Sequence, residues 1–312
     1  FLRENGIHRP ILVFGECDTG EIRWGAKNNI RFSLNDIRSI DKFTACDAPV
    51  KVHCNIDTGM GRLGIKLSEL TELSEALFAH ENLELEGLYT HLASADNPDT
   101  ATVERQLELF AAARSHLGTA GISPVHIHVA NSAGIIHHTI KDCTLVRPGI
   151  SLYGCKPDPS VEFDIDLKPV AALKGHVIKV KKTPPGTPIS YGGTYITRED
   201  TVIATVPVGY AHGLPRLLSN KGSVLINGKR FPIAGTVTMD SVMVDCGNST
   251  DVTVGDEAVV MGYQGPACIS PDEIAVQCGT IGYEILCGLS TAVDRYILKN
   301  KVTIDYLPPF FV

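Results

Sequence analysis

The sequence lacks the features that mark several specialised classes of protein. No apolar run among its 312 residues approaches the roughly 18 residues that a membrane-spanning helix needs. Its nine cysteines form no CxxC pair and no dense framework, which is typical of reduced thiols in the cytoplasm. The 29 glycines and 18 prolines follow no period, and this excludes collagen-like and low-complexity chains.

Positive charge is scarce as well. Lys and Arg number 28 against 35 Asp and Glu, which gives a net charge of −7 and a pI of about 5.9. This balance argues against a nucleic-acid-binding surface as the main role. Hydrophobic residues make up 44% and charged residues 20%, which excludes a disordered chain, and the length fits about two domains.

The first half of the chain alternates short apolar runs with helical patterns, which are clearest in Leu67–His80 and Thr102–Leu117. Such alternation predicts a parallel sheet. With an opening segment, Phe1–Gly6, that is typical of a helix end, it predicts a (β/α)8 TIM-type barrel whose first two units are missing. A doubly wound sheet is the alternative. The six runs are Pro10–Gly15, Ile30–Leu34, Val50–Ile56, Leu85–His91, Pro124–Ala130 and Thr144–Gly149.

After about residue 165 the pattern changes to β-like runs separated by Gly and Pro turns, with one late helix at Pro271–Gly279. We therefore predict a partial barrel over residues 1–160 and a mainly β domain over residues 165–312, joined by a linker at Lys156–Pro169. The β-like runs are Val177–Val180, Thr201–Val208, Ser223–Ile226, Ser241–Val244 and Ala258–Gly262.

Polar residues follow four successive predicted strands, where a parallel barrel carries its catalytic groups. They are the glycine-rich loop Asp57–Arg62, His91, the helix start at Asn131-Ser132, and Arg147–Gly149. The last two loops favour phosphate, because Ser132 offers a hydroxyl at a helix start and Gly149 lets a backbone amide approach an anion. No spacing typical of a metal site is present, so we predict no metal.

Eight motifs, in order along nearly the whole chain, resemble those of the alanine racemases. These are pyridoxal 5'-phosphate enzymes that interconvert L- and D-alanine, and some relatives act on serine. The motifs are Asp57–Arg62 (DTGMGR), Tyr89–His91, Ala130–Ala133 (ANSA), Val146–Gly149 (VRPG) with Tyr153-Gly154, Ser190–Tyr195 (SYGGTY), Val208–Ala211 (VGYA), Met239-Asp240 and Tyr283-Glu284.

The resemblance implies a role for each matching residue. Arg147 would face the cofactor's pyridine nitrogen, and because its pKa exceeds 12 it would not protonate that nitrogen. Arg62 would clamp the substrate carboxylate, with the backbone N–H of Met239 as a second anchor. Ser132, Gly149, Ile150 and Tyr283 would hold the phosphate.

Racemisation needs a base on each face of the substrate, and the resemblance assigns the base for the L-enantiomer to Tyr210. Free tyrosine has a pKa near 10, so nearby positive charge must help it ionise. The resemblance implies a chain Tyr210–His91–Arg147–His128 that does this, with His91 also beside the cofactor. It further implies a homodimer in which Tyr210 acts across the interface.

The family's second base, the Schiff-base lysine, has no match in this sequence, because Lys27 lies outside the expected motif. We expect that lysine upstream of residue 1. A non-catalytic, cofactor-binding relative is the alternative. The expected location is cytoplasmic, including the cytoplasmic domain of a membrane-anchored protein, and the expected role is to supply D-amino acid for the cell wall.

Three departures from the family pattern point to an unusual branch. Asn55 stands where many relatives carry a carbamylated lysine that pins the substrate arginine, and a chloride near Asn55 and Arg62 would replace that anion. His212 replaces a usual Asp, and Ala292–Arg295 replaces an arginine-rich run. These changes make the serine/alanine racemase branch associated with vancomycin resistance a candidate. Glu81–Glu86 is interpreted as a solvated face, and Asn131 as either a helix cap or a support for the site.

Overall fold

The computed structural model describes residues 1–159, 161, 165–299 and 302–307. The chain forms two compact units, residues 1–149 and 150–312. The predicted boundaries at 160 and 165 stay predictions, and residues 160 and 162–164 of the predicted linker lie outside the described residues. All nine cysteines are free thiols.

A parallel sheet of five strands is the centre of the first unit, and its strands lie side by side in chain order. A doubly wound sheet reverses its strand order at a switch point. This sheet has no reversal, and consecutive parallel order is the arrangement of a barrel wall. Its strands are Ile11–Val13 (β1), Ile30–Leu34 (β2), Val50–Asn55 (β3), Leu83–Tyr89 (β4) and His126–His128 (β5).

Helices connect the strands of the first unit and cover the sheet. The first begins at Asp18, whose side chain accepts from the backbone N–H of Glu21 in a capping box. The longest buries one face at three- and four-residue spacing, from Val103 to Leu117, as the sequence pattern predicts. The helices are Thr19–Lys27 (α1), Ile40–Thr44 (α2), Leu70–Ala79 (α3), Ala101–Thr119 (α4) and Ser132–His137 (α5).

The sixth predicted strand, Thr144–Gly149, is reduced to one parallel bridge between Leu145 and His128. Pro148 has no N–H to add to a ladder, so the run stays a short extended segment. It is nevertheless fixed beside β5, because the backbone N–H of Arg147 donates to the carbonyl of Ala130 at 2.9 Å. The opening segment Phe1–Gly6 forms hydrogen-bonded turns rather than a full helix.

The second unit is mainly β, as predicted, with strand bounds shifted by a few residues. The strands of this unit are Leu173–His176 (β6), Lys179–Thr183 (β7), Pro188–Ile189 (β8), Tyr195–Ile196 (β9), Thr201–Val206 (β10), Ser223–Ile226 (β11), Lys229–Pro232 (β12), Val242–Asp245 (β13), Glu257–Gln264 (β14), Ala267–Ile269 (β15), Arg295–Lys299 (β16) and Val302–Leu307 (β17). One sheet has the order β13-β10-β7 and another the order β12-β11-β14-β15, with β6 paired to β14.

Two helices follow one another near the end of this unit. The first, Pro271–Cys278 (α6), is the predicted late helix, capped by Ser270 and ended by Gly279 at φ 70°. The second, Gly282–Cys287 (α7), carries Tyr283 and was missed because only six residues define it. No helix in the described part of the chain is both long and apolar enough to span a bilayer.

Candidate active site

Arg147 is held on two sides of its guanidinium group at the carboxyl end of the sheet. Its Nη2 donates to the carbonyls of Thr90 and Val129 at 2.7 and 2.9 Å, and its Nη1 donates to Nδ1 of His128 at 2.8 Å. Burial lowers the pKa of Arg147 to about 10, so the group stays a cation near neutral pH. These contacts leave Nε–H and one Nη1 hydrogen for a ligand.

His128 is 1% exposed and contacts both Arg147 and Tyr89. The Tyr89 ring stacks on it with a centroid distance of 4.7 Å and an interplanar angle of 7°, while the guanidinium carbon of Arg147 lies 5.3 Å from the Tyr89 centroid. Burial and the neighbouring Arg147 lower the pKa of His128 to about 2. The imidazole is therefore neutral, and the predicted contact of Arg147 with His128 is present.

Behind His128, a row of buried polar side chains crosses the sheet. His53 Nδ1 lies 2.8 Å from His128 Nε2, and His53 Nε2 lies 3.4 Å from the carboxylate of Glu86. Arg31 donates to both oxygens of Glu86 at 2.7 and 2.9 Å, and Lys51 donates at 3.0 Å. The interpretation of Glu86 as solvated is wrong: it is 8% exposed and begins the buried run Glu86–Tyr89 that ends β4.

Two of the predicted phosphate ligands meet in the first unit. The backbone N–H of Gly149 donates to the hydroxyl oxygen of Ser132 at 2.9 Å. Asn131 caps α5 through the backbone N–H of Gly134 at 2.9 Å, which supports the helix-cap interpretation. The other two predicted ligands are described in the second unit: Ile150 is buried at the start of a 3-10 turn, and Tyr283, on α7, is 40% exposed.

His91 lies just past the end of β4 and is neutral. Burial, followed by the charges of Arg147 and Arg62, lowers its pKa to about 4. Its Nε2 faces the amide nitrogen of Asn131 at 3.5 Å, a long contact in which only the amide can donate. Asn131 thus both caps α5 and faces His91.

Arg62 is exposed on the glycine-rich loop that follows β3. Asp57 organises this loop by accepting the backbone N–H groups of Gly59 and Gly61, both at 3.0 Å. Asn55 is buried and donates its amide hydrogens to Asn35 Oδ1 at 3.1 Å and to the Leu63 carbonyl at 3.2 Å. Its donors therefore hold strand ends together, and any anion beside Arg62 must find other donors.

In the second unit, Tyr210 and Met239 are brought together by backbone contacts. Tyr210 donates its backbone N–H to the carbonyl of Thr238 at 3.0 Å, and Ala211 donates to that of Met239 at 2.9 Å. Gly209 is required by this close approach, because a Cβ there would lie 2.3 Å from the Thr238 carbonyl oxygen. The Tyr210 side chain is 45% exposed, and that of Met239 is 59% exposed.

Two family models match the chain. The model of the alanine racemase N-terminal domain covers residues 1–157, and that of the C-terminal domain covers residues 170–297. The chain belongs to the alanine racemase family. It therefore has that family's fold, a barrel followed by a β domain, and is a pyridoxal-phosphate-dependent amino-acid racemase.

Relatives and solved structures agree with the alanine racemase assignment. The chain is 43% identical over 306 residues to the alanine racemase of Citrifermentans bemidjiense, covering 95% of this chain and 81% of that protein. A crystal structure of alanine racemase from Bacillus anthracis with bound L-Ala-P superposes with a TM-score of 0.86 at 36% identity, covering 98% and 80% of the two chains. The Clostridium difficile alanine racemase gives 0.89 at 34% identity, covering 99% and 82%.

The residues at the end of the sheet fit pyridoxal phosphate. Arg147 carries donors and no acceptor, which is the chemistry that would suit a ring nitrogen with a free lone pair. Sequence reasoning included Tyr89 in a motif without giving it a role, and it missed the supporting side chains His53 and Arg31. Their signal was the presence of polar residues within strands of a parallel sheet, where apolar runs are the norm.

Proposed function

We propose that this chain interconverts L- and D-alanine with pyridoxal 5'-phosphate. The observation that carries the proposal is the fixed position of Arg147, which is held by two backbone carbonyls and His128 beside the Ser132–Gly149 contact. When bound, the cofactor supplies an electron sink that makes the α-hydrogen of an amino acid removable. Arg147 would donate a hydrogen bond to the ring nitrogen without protonating it.

Ser132 and Gly149, joined by Ile150 and Tyr283, hold the phosphate in this proposal. Arg62 binds the substrate carboxylate by its planar fork, and the backbone N–H of Met239 provides a second anchor. His91, which is neutral, would support the ionised phenol of Tyr210 and bind beside the cofactor. Chloride near Asn55 and Arg62 stays a prediction.

Tyr210 removes the α-proton of L-alanine and acts in a homodimer on the site of the partner subunit. It lies in the β unit, whereas the cofactor residues His91, Arg147 and His128 lie at the strand ends of the first unit. The backbone contacts of Gly209 and Tyr210 to residues 238–240 hold Tyr210 and Met239 side by side, which supports the proposal. One subunit can therefore deliver both groups together.

The base for D-alanine would be the family's lysine, which would also bind the cofactor and has no match in the sequence given. The chain spans about four-fifths of the length of the curated relatives it matches.

Mixing two inactive variants tests the shared site. Tyr210→Phe and a substitution of the cofactor-binding lysine by Ala would each remove one base from both sites of a homodimer. Under subunit exchange, the mixed dimer contains one site with both bases intact, so racemisation returns. No recovery, with exchange verified by mass, would show that Tyr210 acts within its own chain.

Serine is the second candidate substrate, favoured by the departures at Asn55 and His212. The product D-amino acid, in either case, would serve the cell wall, and a serine-using enzyme would serve antibiotic resistance. Rates with both enantiomers of alanine and serine, measured in one assay, decide between the substrates.

A further inference from the structure

The row of buried side chains behind Arg147 has a proton arrangement that its two ends determine. At one end, Arg147 can only donate, so His128 Nδ1 must accept across the 2.8 Å contact. A neutral imidazole has one N–H, which places the His128 proton on Nε2. That proton then points at His53 Nδ1, 2.8 Å away.

The same reasoning extends to the other end of the row. Because His53 Nδ1 accepts from His128, the His53 proton lies on Nε2, directed at Glu86 Oε2 at 3.4 Å. Glu86 can accept it, since hydrogen bonds from Arg31 and Lys51 hold the pKa of Glu86 at about 2, so that the group is a carboxylate. Each group in the row therefore donates a hydrogen bond to the next, from Arg147 to Glu86.

The row also separates charges. In the described part of the chain, no ion pair includes Arg147, while Glu86 is paired with Arg31 and Lys51. His53 is 3% exposed and its pKa is lowered by burial; the ring of His126 lies 5.7 Å away. Two neutral imidazoles thus stand between Arg147 and the carboxylate.

We propose that Glu86 and His53 are positioning residues for racemisation: they fix the Nε2–H tautomer of His128, which keeps an acceptor facing Arg147 and so holds its guanidinium against the cofactor ring nitrogen. The proposal rests on the proposed function only because it names racemisation as the reaction that these two residues support. The tautomer itself can be measured without any activity.

Glu86→Gln should reverse the direction of the hydrogen bonds between Glu86, His53 and His128. The new amide nitrogen can take the place of either carboxylate oxygen. In the place of Oε1 it would face donors of both Arg31 and Lys51. In the place of Oε2 it would face one Arg31 donor and Nε2 of His53. The second placement is favoured, because His53 can change tautomer and accept. His53 then donates to His128 Nε2, the His128 proton moves to Nδ1, and two donors face each other at Arg147.

Glu84→Gln is the matched control. Glu84 lies two residues away on the same strand, is exposed, and pairs with Lys51 at 3.3 Å, so it loses the same charge without touching either histidine. Gly87→Ala is an independent second variant. A Cβ at residue 87 would lie 2.3 Å from His53 Nδ1, so it displaces the His53 ring without changing any charge.

The experiment measures ring ¹⁵N shifts of His128 in the holoenzyme, assigned by comparison with His128→Gln, together with kcat and KM for alanine. In wild type and Glu84→Gln we expect the Nε2–H tautomer and equal kcat. In Glu86→Gln we expect the Nδ1–H tautomer, an unchanged KM and a kcat that is lower by about tenfold. This factor is the lower end of the loss of activity that follows when the hydrogen-bond partner of a metal-bound histidine is removed.

Gly87→Ala should mix the two tautomers and lower kcat, and it decides the question if Glu86→Gln fails to fold. An unchanged His128 tautomer in whichever of the two variants folds would overturn the proposal, as would an equal loss of kcat in Glu84→Gln. If the wild-type enzyme does not racemise alanine, the proposed function is wrong. The His128 tautomers measured in the variants would still test whether Glu86 and His53 position His128.

Discussion

Arg147 and His128 share a hydrogen bond of 2.8 Å in which the guanidinium Nη1 donates to the imidazole Nδ1. Because arginine offers no acceptor, this contact is incompatible with a protonated His128. The structure therefore combines a half-buried cation with a buried histidine that must remain neutral. Both the chemistry of the site and its response to acid depend on this relationship.

Acid should destabilise the first unit at a higher pH than carboxylates alone would cause. Unfolded histidine takes up a proton below about pH 6.5, whereas the folded pKa of His128 is about 2. Below pH 6.5 the unfolded state binds more protons, so the stability present above 6.5 falls as the pH drops. The slope is about 1.4 kcal/mol per pH unit for each such histidine.

Urea unfolding at several pH values between 7.5 and 4.5 measures this slope. His128→Gln should flatten it, because glutamine can accept from Arg147 and donate to His53 but does not titrate. An identical slope in the variant would contradict the assignment.

Arg147→Glu should lower racemisation and increase transamination. A carboxyl group can deliver a proton to the ring nitrogen, which arginine does not, and a protonated ring stabilises negative charge long enough for side reactions. Pyridoxamine phosphate released per racemisation event is the quantity to measure. No increase would count against the role assigned to Arg147.

Arg62→Lys should weaken recognition of the substrate carboxylate, since a point charge does not reproduce the bidentate fork. Loss of one charge-assisted hydrogen bond corresponds to about 1.5–3 kcal/mol in kcat/KM, for both enantiomers. Arg38→Lys is the control, because Arg38 is exposed and bound to Asp36 on a different loop. Equal kcat/KM values in wild type and Arg62→Lys would refute the assignment.

His212, which stands where the family usually has Asp, accepts a backbone hydrogen bond, and substitutions at this position can test that role. Its Nδ1 accepts the buried backbone N–H of Gly209 at 3.0 Å, beside Tyr210. His212→Ala leaves that N–H without its acceptor, which should cost about 1–3 kcal/mol in the free energy of unfolding. His212→Asp supplies another acceptor and should retain stability; a loss as large as that of the alanine variant would exclude this role.

The order of elements and the identity of Arg147 as a central residue could be predicted from sequence, because strand periodicity and strand-end polar motifs are local signals. The partners of Arg147 were only partly predictable. His128 was implied by the family resemblance, but His53 and Glu86 come from two other strands, and only the sheet register brings them into line. Glu86 was misread because its neighbours Glu81 and Glu84 are surface residues, and periodicity alone did not assign its face.

Exchange of the α-hydrogen in D₂O, followed by NMR, tests most directly that Tyr210 is the base for L-alanine. The wild-type enzyme should exchange the α-hydrogen of both enantiomers. Tyr210→Phe should retain exchange with D-alanine, which is served by the lysine, and lose it with L-alanine. Exchange of L-alanine at the wild-type rate in Tyr210→Phe would contradict the account.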